Sequence, residues 1–167
     1  VLVIDEGHNI EAELSRFVEI SVSELFAKNL LGLKFPHKKT QFQIFKWIVE
    51  SYIPAATRKI KHFEKTIEQF GGDKFREKLS QFQKITRQFD LLTSHTSKLK
   101  NFVKMYDKDS WVYELVKTER RGSFKATFKP IDVSDYSEES LFRLGEKIII
   151  MSATIMNKRI FCKTLGI

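Results

Sequence analysis

Two short runs of consecutive apolar residues lie near the two ends of the chain, and polar residues follow each run directly. The first run occupies residues 1–4. The second occupies residues 148–151 and follows Lys147, so that a strand is predicted over 147–151. Uninterrupted apolar runs of this length are typical of fully buried strands in a parallel sheet. Because ligands bind at the carboxyl ends of such strands, we expect residues 5–6 and 152–154 to lie close together.

Shorter helices are predicted after the first strand. Asn9 is a candidate N-cap for a helix over residues 9–15, and residues 17–20 favour a brief extended segment. The sequence Ser-x-x-Glu at 21–24 has the capping-box pattern, which predicts an amphipathic helix that stops near Gly32.

Two long helices are predicted in the middle of the chain. From about Gln41 to Phe70, and again up to about Tyr106, apolar residues recur at alternating spacings of three and four. Pro54 predicts a kink or a break in the first of these runs. Since Gly71-Gly72 separates the two runs and is typical of a helix end, we expect an antiparallel helical hairpin.

The last third returns to strand patterns. Residues 111–117 and 124–129 alternate around a turn at 118–123, which predicts a β-hairpin. A short helix is predicted over 137–144 and a final helix over 157–165. The chain is therefore predicted to be α/β, with parallel strands, a large mainly helical insertion and a β-hairpin.

Composition narrows the partner class. Hydrophobic residues make up 42% of the chain, including 15 Phe, which is ample for a core, and the net charge is +8. This charge favours a polyanionic partner, either nucleic acid or an anionic membrane surface. No apolar run approaches the roughly 20 residues that span a bilayer, so nucleic acid is preferred. The basic residues of the helical block are either solvated surface or contacts to a phosphate backbone.

The candidate chemistry lies after the first strand. An Asp at a strand end, as at Asp5, is the Walker B position that holds Mg²⁺ on a nucleoside triphosphate. The adjacent Glu6 is placed to orient or deprotonate an attacking water. No phosphate-binding loop of the type Gly-x-x-x-x-Gly-Lys-Ser/Thr occurs in the chain, so we expect this chain alone to be inactive towards ATP.

Other potential ligands point to structural roles. His37, His62 and His95 lack metal-ligand spacing and are predicted to be surface residues. Cys162 is the single cysteine, which excludes an internal disulfide, and we expect it to pack as a small apolar residue on the last helix.

The motifs resemble those of superfamily 2 helicases of the XPD/DinG type. Ile4-Asp5-Glu6-Gly7-His8-Asn9-Ile10-Glu11 is similar to their DEAH box, with Gly7 where the family usually has Ala, and Ser152-Ala153-Thr154 resembles their motif III. Residues 130–134 resemble the Pro-Leu-Asp-Val-Ser-like stretch at which relatives re-enter the motor domain. Residues 161–167 resemble the Phe-x-x-x-Leu-Gly ending of the helix after motif III.

The resemblance implies a fragment of an ATP-dependent DNA helicase that moves 5′ to 3′ on single-stranded DNA. It implies that Asp5, Glu6 and His8 act in catalysis, with Asp5 on Mg²⁺, and that Ser152, Ala153 and Thr154 couple hydrolysis to strand movement. It implies motor-domain segments at 1–16 and 110–167, and at 17–109 an Arch-like insertion that encloses DNA or docks a protein partner.

The family's iron-sulfur cluster would lie upstream of Val1 and is not encoded here. We expect a cytoplasmic protein, or a nuclear one in a eukaryote, without membrane contact. Two alternatives stay open: a non-catalytic basic helical module that binds nucleic acid or a protein, and another Walker B ATPase with a helical insertion. Local capping of the final helix by Ser152 and Thr154 is compatible with their coupling role.

Overall fold

The computed structural model describes residues 1–70, 79–118, 122–154 and 157–167. The fold is mixed α/β and 60% helical. The elements in chain order are β1 (Leu2–Ile4), α1 (Ile10–Val18), β2 (Ile20–Ser23), α2 (Glu24–Leu31), α3 (Gln41–Trp47), α4 (Ile53–Glu68), α5 (Leu79–Met105), β3 (Trp111–Lys117), β4 (Phe124–Pro130), α6 (Ser134–Ser140), β5 (Ile148–Ile150) and α7 (Lys158–Leu165). The described residues also form short 3₁₀ turns at Gly7–Asn9 and Phe142–Leu144 and a π-helical turn at Ile48–Tyr52.

The two terminal apolar runs form a parallel pair, as predicted. Strand β1 pairs with β5 in the register Leu2 with Ile148, Val3 with Ile149 and Ile4 with Ile150. The expectation that both faces are buried is wrong, because Val3 is 55% and Ile149 is 49% exposed.

The reason is that the described helices cover one face of this sheet. Ile4, Ile148 and Ile150 pack against a core formed by residues of α1, α7 and the segments around α6. The buried members of this core are Ile10, Leu14, Val133, Phe142 and Leu165.

The predicted β-hairpin is confirmed by β3 and β4, which are neighbours in an antiparallel three-stranded sheet of order β2-β4-β3. Residues 119–121 of its turn lie outside the described residues. The extended segment expected at 17–20 is displaced towards the C-terminus, because α1 continues to Val18 and β2 begins at Ile20. Pairing with β4 is a long-range contact that the local pattern does not encode.

Helix α2 begins later than the capping-box pattern predicted. Its N-cap is Ser23, whose Oγ accepts a hydrogen bond from the Phe26 amide at 3.5 Å. Ser21 lies within β2, where the strand holds its backbone extended. The predicted end at Gly32 is confirmed, and that residue has the left-handed conformation (φ 67°) that glycine adopts without strain.

The long helical run is interrupted near Pro54, as expected. The irregularity is a π-helical turn at Ile48–Tyr52, after which α4 starts at Ile53. Proline has no amide hydrogen to donate and clashes with the preceding turn. The widened turn therefore lies directly upstream of it.

Helices α4 and α5 are antiparallel, as the spacing predicted. Residues before the connection pair with residues after it in reverse order along the chain. The ring centroids of Tyr52 and His95 lie 5.6 Å apart, and those of Phe70 and Phe82 lie 5.5 Å apart. The predicted reversal at Gly71-Gly72 lies outside the described residues. Buried residues of this hairpin include Ile48, Leu92 and Leu99.

The chain divides into two compact units. Unit 1 contains residues 1–21, 107–114 and 127–167, and unit 2 contains residues 22–106 and 115–126. The division into motor-domain segments at 1–16 and 110–167 and an Arch-like insertion at 17–109 stays a prediction. Among the described residues, no helix combines the length and the apolar character that a membrane span requires.

Candidate functional site

The carboxyl ends of β1 and β5 place two loops of unit 1 side by side. The Met151 amide donates to the Ile4 carbonyl at 2.8 Å, and the Gly7 amide donates to the Met151 carbonyl at 2.8 Å. The backbone pairing therefore continues past the last strand residues and joins the acidic loop to the start of the Ser-Ala-Thr segment. Because the two strands are parallel, both loops leave the same edge of the sheet.

Gly7 has a steric reason for lacking a side chain. It is buried, and a Cβ added at this position would overlap Cγ2 of Ile150 on the neighbouring strand and lie 3.3 Å from the Met151 carbonyl oxygen. The absence of a side chain at Gly7 is therefore explained locally, since the β-branch of Ile150 occupies the space that a methyl group would need.

Glu6 adopts a backbone conformation that L-residues rarely adopt. Its φ of 54° and ψ of 43° lie in the left-handed region, and among the described residues no other non-glycine has a positive φ. Such a conformation costs on the order of 1 kcal/mol or more, and residues of this kind concentrate at functional sites. The amide of Glu6 donates to Asp5 Oδ1 at 2.8 Å, which stabilises the turn and orients the Asp5 carboxylate.

His8 links the two loops. Its Nδ1 lies 2.9 Å from Oγ of Ser152 and 3.3 Å from Oε2 of Glu6. Ser152 in turn accepts a hydrogen bond from the Thr154 amide at 3.3 Å, and its hydroxyl lies 3.4 Å from that of Thr154. A continuous polar chain thus runs from the acidic loop to the Ser-Ala-Thr segment.

All predicted site residues lie at this edge of the sheet. Asp5, Glu6, Ala153 and Thr154 are exposed. The His8 side chain is 39% exposed, so its contacts with Glu6 and Ser152 are made at the surface of unit 1.

Asp5, at the end of β1, is the residue that was predicted to contact a magnesium ion. Within the described residues, no group of three or more His, Cys, Asp or Glu side chains could hold a metal ion. Mg²⁺ is usually bound by one or two carboxylates together with substrate phosphates and water. The exposed carboxylate of Asp5 at a strand end matches that limited protein contribution.

The final helix, α7, is not capped by Ser152 or Thr154. Its N-cap is Asn157, whose Oδ1 accepts from the Ile160 amide at 3.1 Å. Ser152 and Thr154 are therefore available for the polar chain described above. At the first helix, Asn9 precedes α1 without a side-chain cap, and its amide donates to the Glu6 carbonyl at 2.9 Å.

The prediction that His95 is a surface residue is wrong, because its side chain is half-buried. His37 and His62 are exposed, as predicted. The rings of Phe26 and Tyr52 lie within 6.1 and 5.6 Å of His95. Burial, and then the charge of Lys98, lower the pKa of His95 below its ordinary value. The helical period of α5 places His95 one turn from buried Leu92 and Leu99, a signal that could have identified it as inward-facing. Cys162 is half-buried on α7.

The contact between His8 and Glu6 was not predicted, because nothing in the local sequence pattern indicates the left-handed turn at Glu6. The chain was also compared with models of known protein families and with curated protein sequences, and neither comparison found a match.

Proposed function

We propose that this chain is part of an ATP-dependent DNA helicase of the XPD/DinG type of superfamily 2. The observation that supports this most strongly is the hydrogen bond between His8 and Ser152, residues 144 positions apart, at the ends of adjacent parallel strands. Two motifs that resemble a DEAH box and a motif III are thereby in direct contact. A solvated acidic turn after an ordinary strand has no need of such a partner.

The catalytic roles follow from position and chemistry. Asp5 would hold Mg²⁺, and the ion would supply charge neutralisation for the phosphoryl group. Glu6 orients the attacking water and accepts its proton. The contact between Oε2 of Glu6 and Nδ1 of His8 at 3.3 Å holds the carboxylate at the loop.

Ser152, Ala153 and Thr154 form the coupling segment. Ser152 contacts His8, and Thr154 contacts Ser152. A change in the acidic loop on hydrolysis is transmitted to the start of the 152–154 segment through these contacts. The supporting fact is that Gly7 and Met151 are also joined through the backbone, so the two loops cannot move independently without losing a hydrogen bond.

ATP hydrolysis of this kind needs a phosphate loop and an arginine finger, which other segments of the protein would supply. In the same function, residues 17–109 are an Arch-like insertion beside the path of single-stranded DNA. A non-catalytic basic helical module is the second candidate, favoured by the net charge of +8. A phosphate loop encoded upstream would favour the helicase over the non-catalytic module. A second motor domain with an arginine-bearing motif downstream would favour it over another Walker B ATPase with a helical insertion.

The experiment is an ATPase assay on the protein that carries this chain together with its phosphate loop, with and without single-stranded DNA. Glu6→Gln is expected to lower turnover by about 100-fold or more, since general acid-base groups contribute factors of that size. Glu64→Gln, an exposed acid on α4, is the matched control and keeps full turnover. Equal turnover of the Glu6→Gln and wild-type proteins would refute the assignment.

Ser152→Ala separates coupling from chemistry. We expect this variant to keep ATP hydrolysis but to lose strand separation, measured with a fluorescent forked duplex. Loss of both activities to the same extent would instead assign Ser152 to the structure of the loop.

A further inference from the structure

A cavity of about 340 Å³ lies between α2 and α5, within unit 2. Its volume falls in the range of about 300–1,000 Å³ that is typical of small-molecule sites. The described residues that line it lie at positions 23–30 and 88–91, so its walls span two turns of α2 and one turn of α5. A partner helix anchors its side chains over a longer groove. The shape therefore favours a compact ligand.

The larger part of the cavity wall is apolar. Leu25, Phe26 and Leu30 contribute from α2. Leu91 contributes from α5 and is 56% exposed, although the next residue, Leu92, is fully buried. A ligand that covers Leu91 removes apolar surface from water, which favours binding. The Phe26 ring also offers a face or an edge on which a second aromatic ring can pack.

The remaining described residues of the wall are polar. Ser23 precedes α2, Asn29 lies on α2, and Gln88 lies on α5. Within the described part of the chain, the side-chain amides of Asn29 and Gln88 have no hydrogen-bond partner. Each amide carries two donor hydrogens and an acceptor oxygen. A ligand with a carboxamide-like edge can therefore pair with both.

The cavity favours a neutral ligand, because none of the described residues that line it is charged. The Phe26 ring contacts His95 at 6.1 Å between centroids, and burial lowers the pKa of that histidine, so the imidazole is neutral near pH 7. A charged ligand would lose hydration here without meeting an opposite charge. Unit 2 contains 21 Lys and Arg but only 8 Asp and Glu, which further disfavours a cation or a second copy of the unit.

We propose that the cavity between α2 and α5 is a binding site for a small neutral molecule with an aromatic body and a carboxamide-like edge. The aromatic body packs on Phe26 and Leu91, and the carboxamide edge pairs with Asn29 and Gln88. The site belongs to unit 2 and uses none of the residues assigned to ATP hydrolysis. The inference therefore goes beyond the proposed function and does not depend on it.

Benzamide is the probe for the test, because it joins one aromatic ring to a carboxamide and carries no charge. It is titrated into the isotope-labelled 167-residue chain, and NMR follows the backbone amides together with the side-chain amides of Asn29 and Gln88. A ligand of about nine non-hydrogen atoms is expected to bind with a dissociation constant in the millimolar range. The chemical shift changes are expected to be largest at residues 23–30 and 88–91.

Benzoate is the matched comparison ligand, since it has the same shape but a negative charge. It is expected to bind about 5-fold or more weakly than benzamide, because its charge is desolvated without a cationic partner and it has no hydrogen to donate. Benzoate that binds as tightly as benzamide would overturn the neutral ligand class.

The first variant combines Asn29→Leu with Gln88→Leu, which removes both amides and keeps good helix-forming residues. It is expected to weaken benzamide binding about 5-fold or more, since each hydrogen bond contributes a factor of about 2–10. The matched control combines Gln83→Leu with Asn101→Leu, exposed residues of α5 outside the cavity. The control is expected to keep the affinity within about 2-fold. Circular dichroism checks that both variants are folded.

A second variant tests the apolar wall. Leu91→Ala is expected to weaken benzamide binding about 3-fold or more, because it removes apolar contact area from the ligand. Leu79→Ala, at an exposed leucine at the start of the same helix, is its control and is expected to leave the affinity unchanged.

Chemical shift changes that are absent at millimolar benzamide, or that do not gather at residues 23–30 and 88–91, would overturn the site. Equal affinities of the two double variants would overturn the pairing with Asn29 and Gln88, and equal affinities of the two alanine variants would overturn the apolar contact. The titration contains no ATP and no DNA. Its outcome is therefore independent of the ATPase assay on Glu6→Gln.

Discussion

Gly7→Ala tests whether the two loops are packed as closely as the structure shows. The added methyl would overlap Cγ2 of Ile150 and lie 3.3 Å from the Met151 carbonyl oxygen. The backbone at Gly7 has no positive φ, so alanine can adopt its conformation. Any loss of stability therefore reports the contact between β5 and the acidic loop rather than backbone strain.

Two opposing effects set the size of the change in unfolding free energy that Gly7→Ala causes. Replacing glycine by alanine at a permitted backbone position stabilises a protein by about 0.4–1 kcal/mol through the unfolded state. Overpacking a tight contact costs about 1–3 kcal/mol. Because the neighbouring atom is the β-branch of a strand residue, which cannot rotate away freely, we expect a net loss of about 1–2 kcal/mol from the difference between these ranges.

A double-mutant cycle isolates the contact. Ile150→Ala removes Cγ2, so Gly7→Ala should cost nothing, or stabilise, in that background. Ile148→Ala is the matched control, because Ile148 is also half-buried against the same core but does not approach Gly7. The coupling energy between positions 7 and 150 should be about 1–2 kcal/mol, and that between 7 and 148 near zero.

Urea unfolding followed by tryptophan fluorescence measures this cycle. Trp111 is 3% exposed and belongs to unit 1 with Gly7, so a Trp47→Phe background makes the signal specific for that unit. If Gly7→Ala proves neutral or stabilising alone, or couples equally to positions 148 and 150, the described closeness of the two loops is refuted.

Three further predictions concern other parts of the chain. Glu6→Gly should raise the free energy of unfolding by about 0.5–1 kcal/mol, because it relieves the left-handed backbone strain; urea unfolding with Trp111 fluorescence checks this, and a loss of stability would contradict it. Ser137→Ala should cost about 1–2 kcal/mol, since the buried hydroxyl donates to the Leu165 carbonyl; thermal unfolding measures the loss, and an unchanged midpoint would exclude it. Burial lowers the pKa of folded His95, so the unfolded chain binds more protons, and unit 2 should lose stability as the pH falls below about 6.5. Urea midpoints at several pH values test this, and His95→Leu should flatten the dependence.

The parallel pairing of β1 with β5 could be predicted because each apolar run is short, uninterrupted and followed by polar residues. Those features are local, and the rule that parallel strands share a ligand-binding edge supplied the rest. The left-handed turn at Glu6 could not be predicted in this way, since a non-glycine residue rarely adopts that conformation and the apolar pattern carries no signal for it.

The helices show the same division between local and long-range information. The end of α2 at Gly32 follows from the conformational freedom of glycine, which is a local property. The start of α2 was misplaced because Ser21 and Ser23 both offer a capping hydroxyl, and the pairing of β2 in its sheet decides between them. The half-buried position of His95 is likewise a property of its face on α5, which metal-ligand spacing does not report.

The opposite charges of the two units explain why ATP hydrolysis and strand binding, the two activities of the proposed function, need different partners. Unit 1 has five more acids than basic residues, so it favours a cation such as Mg²⁺ near Asp5 and disfavours a nucleoside triphosphate by itself. A phosphate loop is therefore an electrostatic requirement of the proposed function, because it must supply the positive groups that unit 1 lacks. Unit 2 has 13 more basic residues than acids and needs no such supplement to attract a polyanion. Strand binding should consequently survive in the 167-residue chain alone, whereas tight ATP binding should require the added loop.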